Sequence, residues 1–198
     1  MIIELYRHGR TAGNLRHVYL GTTDEPLCEE GRADLVCVDE AEQVVYASPR
    51  IRCLETARIL FPHAQIQTIP GFEEMDFGDF EGRNWEDMKD DQAYRAWVDS
   101  YCEAPCPNGE ALFEFQARVC AAFDELVDTA LARGDELLRI VGHGGTNMSI
   151  LGGYARPAHG YFHWQTPPGQ CWTVRTDVVM WAHHRLDVVQ APSKRSMQ

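Results

Sequence analysis

The chain has 198 residues, 44% of them hydrophobic and 24% charged, which is enough to bury a sizeable core and is ordinary for a globular protein. Its net charge is -12 with no compensating basic cluster, which argues against a nucleic-acid-binding or anionic-membrane-binding surface. Of the 18 basic residues only Lys89 and Lys194 are lysines, and arginine is the side chain suited to bidentate recognition of carboxylate or phosphate. Seven cysteines (Cys28, Cys37, Cys53, Cys102, Cys106, Cys120, Cys171) include no CxxC pair or zinc spacing, so reduced thiols and a cytoplasmic location are expected. The N-terminus opens on a strand without a basic, apolar leader, and no apolar run reaches membrane-spanning length, so no membrane association is expected.

Ile2, Ile3, Leu5 and Tyr6 form an apolar run that stops at Arg7-His8-Gly9-Arg10-Thr11, and Gly13 and Asn14 follow. This pattern predicts a buried strand entering a tight polar loop. An imidazole between two guanidinium groups is a poor core element, because buried charge needs a partner, and an anion would supply one. Taken alone, the triplet reads more simply as a strand-end histidine solvating a loop, so its meaning depends on distant segments. Residues 21–27 form a second loop, and Glu29 to Val38 has helical spacing with Leu35, Val36 and Val38 inward. Gln43 to Ala47 predicts a strand turning at Ser48-Pro49, and Ile51 to Phe61 a helix stopped by Pro62. Gln65 to Ile69 alternates with period two, as a strand does, and an acidic, glycine-bearing loop spans residues 71–82.

Asn84 to about Tyr101 reads as helical with Trp85, Met88, Tyr94 and Trp97 on inner faces, and Pro105 and Pro107 break it. After Asn108-Gly109-Glu110 a long helix runs to about Arg133, with Phe113, Val119, Phe123, Leu126 and Val127 as its buried stripe. Glu136 to Val141 is a buried strand ending in Gly142-His143-Gly144-Gly145-Thr146, and a further helix begins at Asn147. Two apolar runs between Cys171 and Val189 are expected to close the sheet as strands, and residues 191–198 to fray. Alternating strands and helices predict an α/β fold with parallel strands, in one domain over residues 1–190.

Two strands end in histidine then glycine, at His8-Gly9 and at His143-Gly144-Gly145. Open α/β sheets bind ligands at the carboxyl ends of their strands, which would bring both imidazoles to one crevice. The strand end at Ser48-Pro49 is followed by Arg52 in the first turn of a helix, where backbone N–H groups and the helix dipole favour an anion. Arg7, Arg52, His8 and His143 would together surround an oxyanion such as phosphate.

On these segments the chain resembles the histidine phosphatase (phosphoglycerate mutase-like) superfamily. The matching motifs are Leu5 to Thr11 with Asn14, Ser48 to Ala57, Glu74 to Gly82, and Val141 to Gly145, in the family's order. The resemblance implies a three-layer α/β/α sandwich with a mostly parallel central sheet. It implies His8 as a nucleophile that becomes phosphohistidine, Glu74 as proton donor, and His143 as a further catalytic group. Arg7, Asn14, Arg52, His143 and Gly144 would bind the phosphoryl group, with no metal and no cofactor. Gly9 would let the backbone approach the anion. Like charges on Glu73 and Asp76 would raise the pKa of Glu74. Arg50 and Phe80 depart from the family pattern, where an apolar residue and a tryptophan are common; Arg50 is read as a surface residue or a substrate contact.

Family mutases are longer, with an acidic loop of the type Glu-Arg-His-Tyr-Gly, whereas here it reads Glu74-Met75-Asp76-Phe77-Gly78. Hydrolysis of a small phosphorylated metabolite is therefore expected, with mutase-type transfer or a silent phospho-ligand-binding module as alternatives, in a monomer or homodimer. Residues 74–81, Pro107 to Glu110 with Phe115 and Arg118-Val119, and Gly169 to Trp172 are similar to α-ribazole phosphatases, which implies α-ribazole 5'-phosphate as a substrate. Trp97, Trp164 and Trp172 are candidates for an apolar wall against an aromatic base, or for the core.

Overall fold

Strand β1 (Ile2–Arg7) turns Ile3 and Leu5 to one face of the sheet and Tyr6 to the other, as the period-two geometry of a strand requires. The same alternation recurs in β2 (Val44–Ala47), where Tyr46 opposes Val45 and Ala47, and in β4 (Leu137–Gly142), where Leu138 and Ile140 oppose Val141. These strands are buried on both faces, so the sheet is covered twice. The computed structural model describes residues 1–192; residues 193–198, most of the segment expected to fray, lie outside the described residues.

Seven strands form one sheet in the order β3-β2-β4-β1-β6-β7-β5, with β3 spanning Gln65–Thr68, β5 Ala155–Arg156, β6 Cys171–Arg175 and β7 Leu186–Gln190. The pairs β1/β4, β2/β4, β2/β3 and β5/β7 are parallel, and β6 alone runs against its two neighbours. Helix α3 (Ile51–Leu60) packs on one face through Cys53, Ala57 and Leu60. Helices α6 (Leu112–Arg133) and α7 (Gly144–Tyr154) cover the other through Phe115, Val119, Phe123 and Ile150. The chain is thus an α/β/α sandwich around a mostly parallel sheet.

Several elements depart from the sequence reading. Helix α2 covers only Glu29–Ala33. Beyond it the chain is drawn onto α3, where the Val38 N–H donates to the Leu60 carbonyl at 2.8 Å, and Leu35 is buried while Val36 is 53% exposed. Buried Arg139 on β4 holds the end of this segment by pairing with Asp39, Glu42 and Glu4. The helix expected over residues 84–101 is two, α4 (Trp85–Met88) and α5 (Gln92–Asp99), each begun by its own side-chain cap, Asn84 and Asp91. Met88, Tyr94 and Trp97 face inward, but Trp85 is exposed. In α6, Phe113 is exposed because Phe115, two residues on and about 200° around the helix, takes the inward position. The first apolar stretch after β6 includes a short helix, α8 (Val178–Trp181), before β7.

Candidate active site

Parallel pairing of β1 and β4 puts Arg7 opposite Gly142, so the next residues, His8 and His143, emerge side by side at the carboxyl edge. Their ring centroids are 5.2 Å apart. Ser48 follows β2, the other neighbour of β4, and the first turn of α3 brings Arg52 to the same edge. His8, His143 and Arg52 are 4%, 0% and 0% exposed.

Hydrogen-bond partners fix the tautomers. The Nδ1 of His8 lies 2.7 Å from the Gly9 carbonyl, which can only accept, so Nδ1 carries the proton and Nε2 keeps its lone pair. In His143 the order is reversed: Nδ1 accepts from Arg52 Nε at 3.3 Å, and Nε2–H donates to Ser48 Oγ at 2.8 Å. Burial, then the charges of Arg7 and Arg52, hold the His8 pKa well below its usual range. Burial, Arg52 and then His8 do the same for His143. Two neutral imidazoles thus sit among guanidinium groups that cannot lose their charge.

Arg7 donates from Nη1 to the Thr166 carbonyl at 2.9 Å, and a Cβ on Gly144 would lie 3.5 Å from its Cζ and Nε, so Gly144 rests over the guanidinium. Helix α7 begins at this glycine, earlier than its sequence suggests. Gly145 follows in the first turn and donates its N–H to Glu74 Oε2 at 2.9 Å. Glu74 is half-buried as a residue, with its carboxyl as the enclosed part. Its pKa is raised, and the cause is burial, opposed by the N–H groups of Gly145 and Met75 and by Arg52 and Arg7. The expected like-charge cause is replaced: Glu73 pairs with Arg50 at 2.8 Å, and Asp76 accepts the Gly78 N–H. Arg50 is thereby placed as a half-buried partner of Glu73. Arg118 on α6 fixes this acidic loop by donating to the carbonyls of Gly71 and Glu73, both at 3.1 Å.

Asn14, in the one-turn helix α1 (Ala12–Leu15), closes a reciprocal cap with Thr11, its Oδ1 accepting the Thr11 N–H at 3.1 Å, which leaves its amide donor side for any phosphoryl contact. Gly9 also answers a packing need. A Cβ there would meet Leu35 Cδ1 at 3.0 Å and the Gly31 carbonyl at 3.1 Å, so the glycine serves packing against α2. Cys53 lies 3.5 Å from His143 Nε2 and stays a thiol, because burial pushes its pKa up to about 12. Among the described residues no three His, Cys, Asp or Glu side chains converge as a metal site.

A cavity of about 480 Å³ opens over Arg7, Glu74, Gly144 and Gly145. Its walls include Tyr19, Phe77, Trp97, Phe115, Tyr161 and Phe162. Of the three tryptophans considered, Trp97 lines this cavity, whereas Trp164 and Trp172 pack edge-to-face in the core, centroids 5.2 Å apart. Tyr161 and Phe162 stand in a short 3₁₀ helix (Tyr161–Trp164) after β5, where no periodicity marks them in the sequence. Gly145 has a sharp steric role, since a Cβ would sit 2.2 Å from Glu74 Oε1. Gly145→Ala should therefore displace the carboxyl and reduce kcat by roughly tenfold to a hundredfold, checked by kinetics beside an unchanged circular dichroism spectrum.

The profile of the histidine phosphatase superfamily (branch 1) matches residues 3–187. The adenosylcobalamin/α-ribazole phosphatase of Escherichia coli (strain K12) is 29% identical, over 87% of this chain and 88% of its own. The 2,3-bisphosphoglycerate-dependent phosphoglycerate mutase of Bartonella bacilliformis is 27% identical, over 75% of this chain and 79% of its own. The crystal structure of the α-ribazole phosphatase from Shigella flexneri superposes with a TM-score of 0.83 at 24% identity, over 98% of this chain and 97% of that one, and so shares the fold. The two edge histidines, their arginines and the enclosed carboxyl thus lie within a match spanning nearly all of the sequence: the chain belongs to the histidine phosphatase superfamily.

Proposed function

We propose that the protein is a metal-independent phosphomonoesterase acting through a phosphohistidine on His8. The observation that carries this reading is the tautomer of His8, whose bond to Gly9 leaves Nε2 as a lone pair beside Arg7, Arg52 and His143. In the first step Nε2 attacks phosphorus, the bond from phosphorus to the leaving oxygen breaks, and protonated Glu74 gives that oxygen its proton. In the second step Glu74, now a carboxylate, takes a proton from water as the water oxygen attacks the phosphohistidine, which releases phosphate and restores neutral His8. Arg7 and Arg52 stabilise charge on the equatorial oxygens, and His143 joins them by turning its Nε2–H from Ser48 Oγ to a phosphoryl oxygen, with Gly144 and the amide side of Asn14 at the edge of the same group.

The cavity supports a substrate with one phosphoryl group and an apolar or aromatic remainder. Arg7 is the one cationic side chain among the described residues that line it, and the far walls are aromatic. α-Ribazole 5'-phosphate fits this description, and relatives carry its name. Mutase-type transfer is the second reading, favoured by the mutase relatives, but a phosphoglycerate brings a carboxylate or second phosphate for which this wall offers no further cation. The test is kcat/KM across phosphorylated metabolites in EDTA, including α-ribazole 5'-phosphate and 3-phosphoglycerate. We expect aryl and nucleoside-like monoesters to exceed phosphoglycerates by roughly a hundredfold or more, since the latter bury an unpaired charge. A flat panel would remove the α-ribazole reading, and phosphate exchange between the hydroxyls of a phosphoglycerate, seen by phosphorus NMR, would replace hydrolysis with mutase activity.

A further inference from the structure

The acidic segment 73–82 supplies Glu74 to the proposed chemistry and leaves a second carboxylate, Glu81, without a role. Glu81 is bonded to a different loop. Its Oε1 accepts the N–H groups of Gly21 at 2.8 Å and Thr22 at 2.9 Å, and its Oε2 accepts the Thr23 hydroxyl at 2.7 Å and the Thr23 N–H at 3.3 Å. A trans peptide unit is planar and points its N–H and C=O in opposite directions. The units joining Leu20 to Gly21 and Gly21 to Thr22 give their N–H groups to Glu81, so their carbonyls face away from it. Both carbonyls meet Arg52: Nη2 donates to Gly21 O at 2.9 Å and to Leu20 O at 3.4 Å, while Nη1 donates to Thr23 O at 2.7 Å. The same guanidinium donates from Nε to His143 Nδ1.

We infer that Glu81 is a positioning residue for phosphoryl transfer, acting through the peptide units of residues 20–23 to orient Arg52 and, through Arg52, His143. Two further contacts give the relay a fixed frame. Asp24 Oδ1 accepts the Ile51 N–H at 2.8 Å, tying the same loop to the start of α3, which carries Arg52. Gly21 is pressed so closely on the Glu74 loop that a Cβ would lie 1.7 Å from the Met75 carbonyl oxygen. Aligned along one line of dipoles, these bonds strengthen one another. Removing the carboxylate, as in Glu81→Ala, leaves the Gly21 and Thr22 N–H groups without their acceptor, so the peptide units rotate and Arg52 loses its aim, whereas glutamine keeps one oxygen for both N–H groups and gives its N–H₂ to the Thr23 hydroxyl.

The inference rests on the phosphatase reading, and its test separates the two. Glu81→Ala is measured for kcat/KM on a generic aryl phosphate, for orthovanadate affinity by calorimetry, and for melting temperature, each alone and in an Arg52→Lys background, and Glu81→Gln, which keeps the acceptor, should restore most of the kcat/KM and the vanadate affinity. We expect kcat/KM and vanadate affinity each to fall by roughly tenfold to a hundredfold in the wild-type background and by less than about twofold in Arg52→Lys, because the effect passes through Arg52. A lower melting temperature with kcat/KM and vanadate affinity unchanged would make Glu81 a loop anchor and overturn the inference, as would equal losses in both backgrounds. If the wild-type protein bound vanadate but hydrolysed no phosphomonoester, the phosphatase reading alone would fail, and the vanadate arm would still decide on Glu81. Absence of vanadate binding in the wild-type protein would overturn both.

Discussion

His8→Ala should abolish turnover, lowering kcat by roughly 10⁴-fold or more, as removal of a nucleophile does in other covalent mechanisms. The ring makes one buried bond, to Gly9, so its loss leaves the sheet pairing of β1 and β4 intact and the protein folded. Rapid quenching of the wild-type enzyme should trap a phosphorylated residue at position 8 that is stable in alkali and lost in acid, as a phosphoramidate bond is. The alanine variant should show no label. Full turnover by that variant, or label on another side chain, would end the proposed mechanism.

Glu74→Gln should divide substrates by their leaving groups. An alkoxide must be protonated as it departs, so alkyl phosphates should lose roughly 10²- to 10⁴-fold in kcat/KM, which reports the first step, whereas a nitrophenyl phosphate, whose leaving oxygen carries its own charge well, should lose little there; kcat falls for both, because the second step loses its base. The pH profile follows from the same two groups. Chemistry needs His8 neutral and Glu74 protonated. At the ordinary values of 6.5 and 4.5 both conditions would hold in only roughly one molecule in a hundred at about pH 5.5. The site moves the two in opposite directions, His8 down and Glu74 up, which opens a working window between them. Activity on an alkyl phosphate is lost as pH falls through the lowered pKa of His8 and as it rises through the raised pKa of Glu74. A bell-shaped profile of kcat/KM is expected, and Glu74→Gln should remove its alkaline limb alone. An unchanged alkaline limb in that variant would show that another group donates the proton.

Much of this site is written in side chains, and that part was readable in advance. β1, β2 and β4 announce themselves as apolar runs closed by polar turns and β3 as a period-two alternation, and the ends of the apolar strands carry the histidines and lead into the helix bearing Arg52. Backbone groups carry the part that was not readable. The carbonyls of residues 20–23 that receive Arg52, and the N–H groups that hold Glu81, belong to every residue type and leave no mark in the sequence. Two glycines at the start of α7 read as a loop, yet they open a helix there, and the second is glycine because a side chain at that position would collide with Glu74. Apolar periodicity also overreached: Leu35 and Val38 looked helical, but the packing surface of α3 draws them in as irregular chain. The rise in the Glu74 pKa was foreseen with the wrong cause, because its charged neighbours in sequence turn to Arg50 and Gly78 in space.

The placement of β4 has a consequence for how the molecule assembles. β1 and β2 never pair with each other; each pairs with β4, which begins at Leu137 and fills the slot between them. A nascent chain that has emerged only as far as α6 holds β1, β2 and β3 with the slot between β1 and β2 open, and His8 has no His143 beside it. The meeting of His8 with His143 is therefore expected late in folding, since it closes a loop of well over a hundred residues, the kind of closure that slows folding of non-local topologies. During refolding, the return of activity should trail the return of helical signal, and the slot left by β4 is where a partly synthesised chain would expose unpaired strand edges to a chaperone.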